Sequence, residues 1–322
     1  MNETPQLVAL DWGTSSLRGW LMDAEGHVRG EYAAPHGIMA LPEGGFAAAY
    51  AQARSGLGAD PALPALACGM VGSTSGWRDV PYVACPADPA RLVEGLGARD
   101  GDVLPIVPGV RLDGPTPDVM RGEETQIMGA LSQHPQWGAS SIMIMPGTHS
   151  KWVRIEGGQI ESFRTFMTGE LYAVLMKHSI LGRPSQGGET SDSVRDDAFR
   201  RGVLQAAASE SGLAPILFSA RSLFVTGVLP GAATGDYLSG MVLGDEIRAG
   251  MMAIGGTAPG ADTIGRVVIV GEDALSRRYA RAFDLLGLPA PRMVGNTAAA
   301  GLFAIACQAG LVRAVVSAKG LS

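Results

Sequence analysis

The sequence predicts an α/β protein built from two domains. Three observations carry this. Short apolar strands alternate with amphipathic helices along the chain, which is the signature of the α/β class. One strand–turn–strand–turn–strand frame occurs twice, its turns at Gly13 and Gly147 lying 134 positions apart. And 322 residues is long for a single core and comfortable for two.

The first frame opens with Leu7-Val8-Ala9-Leu10-Asp11, an apolar run ending in an acid, which reads as a buried strand. Trp12-Gly13-Thr14-Ser15-Ser16 is a turn, Leu17 to Met22 a second strand, and Asp23-Ala24-Glu25-Gly26 a turn into a third strand from His27 to Glu31. Next come an apolar stretch, Ala65 to Val71, and a loop, Gly72-Ser73-Thr74-Ser75-Gly76-Trp77. Pro105 to Pro117 is rich in Pro and Gly and reads as an irregular connection. Glu123 to Leu131 is expected to be helical, with two acids in its first turn and Ile127, Met128 and Leu131 on one face.

The frame then returns. Ile142 to Met145 is a strand, Pro146-Gly147-Thr148-His149-Ser150 a turn, Trp152 to Ile155 a strand, and Glu156-Gly157-Gly158 a turn into a strand from Gln159. Such a repeat implies two similar halves facing a cleft. Helices are expected around 170–178, 191–210 and 240–252. Arg266 to Val270 reads as a strand ending at Gly271-Glu272, followed by a helix with Leu275, Tyr279, Ala282, Phe283 and Leu286 at helical spacing. A small-residue helix over 297–308 closes the fold.

Composition narrows the function. Apolar residues make up 46% of the chain and charged residues 17%, ample material for buried layers. A net charge of −6 with scattered Lys and Arg argues against a nucleic-acid surface, which needs a basic stripe. Cys68, Cys85 and Cys307 lack metal-ligand spacing and suit a reducing compartment. Without an apolar run near ~20 residues no membrane span is expected. The first residues resemble no secretion signal, so the cytoplasm is the expected location.

The chemistry-bearing residues cluster at the turns. A phosphate cradle needs backbone N–H groups free to face oxygens, and only small residues let a polyanion approach so closely. Gly13-Thr14-Ser15-Ser16 and Gly147-Thr148-His149-Ser150 both meet that need. Asp11, closing the strand before the first turn, suits a Mg²⁺ ion bridging ATP phosphates; it equally suits a hydrogen bond to its own turn. Gly271-Glu272 could pass under an adenine or ribose, or simply join strand to helix. The P-loop and protein-kinase signatures are both absent from the sequence.

Asp11-x-Gly13-Thr14-Ser15 resembles the first phosphate motif of the actin, heat-shock-chaperone and sugar-kinase superfamily. Longer strings resemble the 2-dehydro-3-deoxygalactonokinase family: Cys68-Gly69-Met70-Val71-Gly72-Ser73 with Gly76-Trp77, Arg121 to Gln126, Pro146 to Trp152, and Phe163 to Glu170. The likeness spans nearly the whole chain. It implies the two-domain actin-like (ribonuclease-H-like) fold with a central cleft. A sugar-acid domain would cover 1–132 and an ATP domain 133–322. The implied reaction is ATP-dependent phosphorylation of 2-dehydro-3-deoxy-galactonate at its 6-hydroxyl, in galactonate breakdown.

In related sugar kinases the general base is an acid at the start of the helix before the second phosphate hairpin. Here that region is Gly122-Glu123-Glu124, with Glu where Asp is usual and doubled, so either glutamate remains a candidate. The substrate carboxylate calls for an arginine fork, with Arg78 and Arg164 the leading candidates over Arg18, Arg111 and Arg121. Ser73 and Trp77 are expected on the sugar side, Trp77 as an apolar wall. Two alternatives stay open: a kinase for a gluconate-derived 2-keto-3-deoxy acid, and a non-catalytic ATP- or sugar-sensing regulator on the same fold. The regulator would usually need a helix-turn-helix segment, and a first strand beginning at Leu7 leaves no room for one ahead of it. The expected ligands are ATP, Mg²⁺ and a small sugar acid; homo-oligomerisation is left open.

Overall fold

The run Leu7 to Leu10 is wholly buried, so its strand needs neighbours on both edges. The computed structural model, which describes residues 4–97, 104–255 and 266–312, supplies them. β1 (Pro5–Trp12) pairs antiparallel with β2 (Leu17–Asp23), which pairs antiparallel with β3 (Val28–Ala34). On its other edge β1 pairs parallel with β4 (Ala65–Cys68), giving the order β3-β2-β1-β4. Ala67 makes a further parallel bridge to Ile106, so the backbone at Ile106 extends the sheet beyond β4.

Three short strands, β5 (Val83–Ala84), β6 (Val110–Leu112) and β7 (Asp118–Met120), make a small separate sheet. The Pro- and Gly-rich stretch 105–117 is therefore more ordered than its composition suggests. Its prolines flank β6, where a missing N–H costs no ladder bond. Pro105 also lends its carbonyl to the Ala67 amide, and the Val107 amide returns a bond to the Ala67 carbonyl.

The second frame repeats the first. β8 (Ser140–Met145), β9 (Ser150–Glu156) and β10 (Gln159–Phe166) follow one another through turns too short for a parallel crossover. β11 (Val267–Val270) and β12 (Arg292–Val294) add in parallel, giving β10-β9-β8-β11-β12. In both sheets the first strand sits between a meander on one edge and parallel strands on the other. This doubled topology is the actin-like, ribonuclease-H-like α/β fold.

The chain divides into two compact units, Met1–Ser140 with Ile155–Ser162 and Asn296–Ser322, and Ser141–Arg154 with Phe163–Gly295. In the first, α1 (Gly45–Gly56) covers a core of Val8, Leu10, Trp12, Leu17 and Ile106, while α2 (Pro89–Glu94) and α3 (Glu123–Gln133) follow. In the second, α4 (Thr168–His178), α5 (Asp192–Ala207), α6 (Ser219–Val225), α7 (Thr234–Gly255) and α8 (Asp273–Leu285) surround two clusters. One of these centres on Ile142, Ile144, Trp152 and Phe283, the other on Leu238 and Met241. α9 (Ala298–Gln308) returns to the first unit and packs on α3 and β1.

Helix α7 starts six residues before the expected Gly240. The glycines there serve packing instead of termination. A Cβ on Gly202 of α5 would strike the Tyr237 carbonyl, and one on Gly240 or Gly244 would strike the α5 backbone at Phe199 or Val203. Gly129 and Gly301 bring α3 and α9 together in the same way. No helix among the described residues is long and apolar enough to cross a membrane.

Candidate active site

The first turn is built by backbone closure. Gly13 N–H donates to the Ser16 carbonyl (2.9 Å), and the carbonyls of Gly13 and Thr14 accept from the amides of Ile38 and Met39 (3.1 and 3.2 Å). Gly37 makes this backing segment fit, since a Cβ there would overlap the Thr14 carbonyl and the Ser15 backbone. Thr14, Ser15 and Ser16 are exposed, and the amides of Thr14 and Ser15 donate to nothing among the described residues. Open amides on a rigid, small-residue turn are what an oxyanion requires.

Asp11 lies immediately before this turn, opposite Arg18 in the β1–β2 register. Cys68, at the end of β4, brings its Sγ to 3.9 Å from Asp11 Oδ1. Desolvation raises the Asp11 pKa, Arg18 opposes that, and the nearby Glu123 adds to it. Burial, with Asp11 and Glu124 beside it, pushes the Cys68 thiol well up, so it is a neutral packing group here and not a nucleophile.

Gly122 and Gly69 let the two acid-bearing segments meet. Both have left-handed backbones (φ 105° and 92°), and a Cβ on Gly122 would lie 3.3 Å from the Gly69 Cα. At the start of α3 the paired glutamates then diverge. Glu124 is fully buried; it accepts from the Gly122 amide (2.7 Å) and the Thr125 hydroxyl (2.9 Å). Desolvation and the neighbouring Glu123 push its pKa up to about 8. Glu123 is partly exposed and accepts from the Arg121 amide (3.0 Å). Asp11, the first turn and Glu123 thus come together within one unit.

In the second unit the turn Pro146–His149 is held by α4. The Glu170 amide donates to the Thr148 carbonyl (3.0 Å), and Glu170 Oε2 lies 2.5 Å from His149 Nε2. A Cβ on Gly169 would overlap the Gly147 carbonyl, so the helix start rests directly on the turn. Gly147 faces open space, and Thr148 and His149 are exposed. Gly271 joins this group: its amide donates to Val294 (3.1 Å), and a Cβ on it would sit 3.5 Å from the Pro146 ring. Glu272 is the N-cap residue of α8.

Ser150 differs from the expectation of a hydroxyl facing phosphate. It is fully buried, and Oγ donates to Glu246 Oε1 (2.7 Å). Glu246, on α7, was not legible as functional. It also accepts from Trp152 Nε1 (2.7 Å) and from the Tyr279 hydroxyl (2.9 and 2.8 Å to its two oxygens). Burial raises its pKa, and hydrogen bonds led by Thr168 oppose the rise. The available signal was an acid three residues past Leu243 and one before Ile247, on the apolar stripe of a helix. Its network ties α7 and α8 to the strand leaving the second turn.

The expected sugar-side residues are spread out. The Ser73 hydroxyl donates to the Met70 carbonyl (2.8 Å). Trp77 stacks on Phe46 (6.0 Å, 8° between planes) beside Trp12 and Tyr50, and with Arg78 it lines a small cavity of about 30 Å³. Arg78 Nη1 donates to the Gly97 carbonyl (2.8 Å). Arg164 is half-buried on β10, in the second unit. Among the described residues, Asp23, Glu25 and His27 bring three possible metal ligands together. Asp23, though, already accepts from the Glu25 and His27 amides and from Arg29 Nε, which explains it as the lock of its turn.

The profile of the 2-keto-3-deoxy-galactonokinase family matches residues 11–305, both turns and both glutamates included. The chain belongs to that family. It is 34% identical over 308 residues to the Escherichia coli (strain K12) protein named 2-dehydro-3-deoxygalactonokinase, covering 94% of this chain and 98% of that one. A Rhizobium meliloti (strain 1021) protein provisionally given the same name is 36% identical over 288 residues, 87% of this chain and 89% of its own. The crystal structure of a Sinorhizobium meliloti protein, also provisionally so named, superposes with a TM-score of 0.84 at 33% identity, covering 94% and 98% of the two chains. Kinases of this family use ATP and phosphorylate an alcohol group of a sugar acid.

Proposed function

We propose that this chain transfers the γ-phosphoryl group of ATP to the 6-hydroxyl of 2-dehydro-3-deoxy-galactonate, a step of galactonate breakdown. The observation that carries the reading is the meeting of open turn amides with Asp11 and Glu123 in a chain of this family. The first unit is the sugar-acid side, and the second, with the turn at Gly147 and Gly271, the ATP side. Phosphate oxygens accept from the open amides of Thr14 and Ser15. Those fixed dipoles stabilise the charge that spreads over the transferring group.

Glu123 is the general base, because it alone of the pair keeps exposed surface and neighbours Asp11. The 6-hydroxyl oxygen bonds to the γ-phosphorus and the β–γ bridging bond breaks. ADP leaves with that electron pair, and the hydroxyl proton passes to the Glu123 carboxylate. Mg²⁺ fits Asp11: a hard carboxylate oxygen at a strand end, destabilised in its charged form by burial and by a second acid, gains from a dication. When bound, the ion would offset phosphate charge. All three cysteines are free thiols, which suits the reducing, ATP-containing cytoplasm we assign to it.

ADP release measured across a panel of 2-keto-3-deoxy acids and neutral ketoses tests the reading. The galactonate-derived acid should be preferred. Equal turnover of neutral sugars would remove the sugar-acid assignment, and preference for the gluconate-derived acid would move it to that substrate.

A further inference from the structure

Arg121 is 8% exposed, yet its guanidinium has no counter-ion among the described residues. Nη2 donates to the Val80 carbonyl (2.6 Å), and the plane lies over the Tyr82 ring at 4.3 Å. Nε and Nη1 are shut off from solvent and donate to nothing. A buried charge is ordinarily paired, because losing water without a replacement partner is costly. The two open donors lie on different edges of the guanidinium, and each edge is completed by an N–H of Nη2, so a carboxylate can take one open donor together with the second N–H of Nη2.

The surroundings fix where such an anion would lie. Gly72 packs so closely that a Cβ on it would sit 2.7 Å from Nη1. Ile106, which would also meet that Cβ, lines the small cavity next to Trp77. One residue further along the chain is Gly122, and the Arg121 amide itself holds Glu123 Oε2. The open guanidinium edge is therefore in the same unit as the proposed base, under the loop that starts at Gly72.

We propose that Arg121 binds the carboxylate of the sugar acid and thereby sets the preference for acids over neutral sugars. This rests on the kinase reading above. The acid reaches one of these edges, at Nε or at Nη1, when the segment 72–80, latched by the Val80 carbonyl, lifts away. The bond is a charged pair with no covalent step.

Two measurements test it. Arg121→Met and Arg121→Lys are compared with wild type on the galactonate-derived acid and on its neutral C1 amide, with folding checked by circular dichroism. kcat/KM for the acid should fall about 30-fold or more in the Met variant, mostly through KM, and that for the amide should change little. An equal loss on both substrates would show Arg121 to be structural and overturn the proposal. Should Arg121→Met not fold, the wild type still decides. With ¹⁵N-labelled arginine, the Arg121 Nε resonance, assigned from the Lys variant, should shift on adding the acid and stay fixed on adding the amide. No shift with the acid at saturation sinks the idea. If wild type phosphorylates no sugar acid, the kinase reading fails on its own, and the same titration with the acid still judges Arg121.

Discussion

Asp11, Glu123 and Glu124 are neighbouring acids with different surroundings, and their chemistry follows from those surroundings. Glu124 accepts its hydrogen bonds from its own helix start, the Gly122 amide and the Thr125 hydroxyl, with the Cys68 thiol beside it. Its pKa of about 8 lies above the unfolded value near 4.5, so the folded chain holds a proton there that the unfolded chain releases. The favourable share it contributes is complete below about pH 4.5 and is lost as pH climbs toward 8. Glu124→Gln should therefore flatten the fall of stability between those limits, gaining on wild type as pH rises, while keeping most of kcat. Urea midpoints across pH 5–8 check this, and parallel curves for the two proteins would count against it. Glu123→Gln should instead lose roughly 10²–10⁴-fold in kcat with ATP binding kept, the usual contribution of a general base. Asp11→Asn should fold and lose about 10²-fold or more in kcat, and near-normal turnover at saturating Mg²⁺ would exclude the metal role. Sequence alone placed these acids together but could not separate them. Exposure distinguishes the glutamates, and exposure depends on Gly69 and Gly122 closing face to face across distant segments.

Elements were legible where one face alone decided them. β1, β8 and β11 are apolar runs at known turns, and α8 shows its buried stripe at Tyr279, Ala282 and Phe283. Helix α1 escaped notice because Ala-rich turns between Gly44 and Gly56 give little period, and β6 was hidden by its flanking prolines. The glycines misled most at α7, whose expected start at Gly240 lies six residues inside the helix, where Gly240 and Gly244 act as contact surfaces. That reading makes a direct prediction. Gly202→Ala adds one methyl against the Tyr237 carbonyl, so α5 and α7 must separate, which costs about 1–3 kcal/mol for an overpacked core. Gly187→Ala serves as the control, since its backbone is extended (φ −131°) and a Cβ there meets nothing. Thermal melts should show a clear drop for the first variant and a shift near zero for the second. Equal behaviour would mean that the α5–α7 spacing is not set by these glycines.

At the scale of the whole chain, the repeated frame was the strongest signal in the sequence, and the four strands of the first sheet have counterparts in the same order in the five-stranded second sheet. On the function proposed above each copy holds a different ligand, and the residues of the two copies differ accordingly. In the first unit the strand after the meander ends at Cys68-Gly69, whose left-handed glycine makes room for Glu123 and its helix; in the second, the corresponding strand ends at Gly271, packed on Pro146. The first unit therefore presents paired acids beside its turn, and the second presents a turn braced by α4 and by the Glu246 network. Ligands bound to one unit should then protect that unit's amides preferentially. Hydrogen exchange with a non-hydrolysable ATP analogue alone should slow exchange at 146–150 and at 271–276. The sugar acid alone should slow it at 69–80 and 119–124. Each ligand should also raise the melting temperature, by about 2.7 kcal/mol of stabilisation at a hundredfold excess over Kd. Protection by the sugar acid confined to 146–154 and 163–170 would reverse the assignment of sides, because it would put the acceptor on the unit that lacks the Asp11–Glu123 pair.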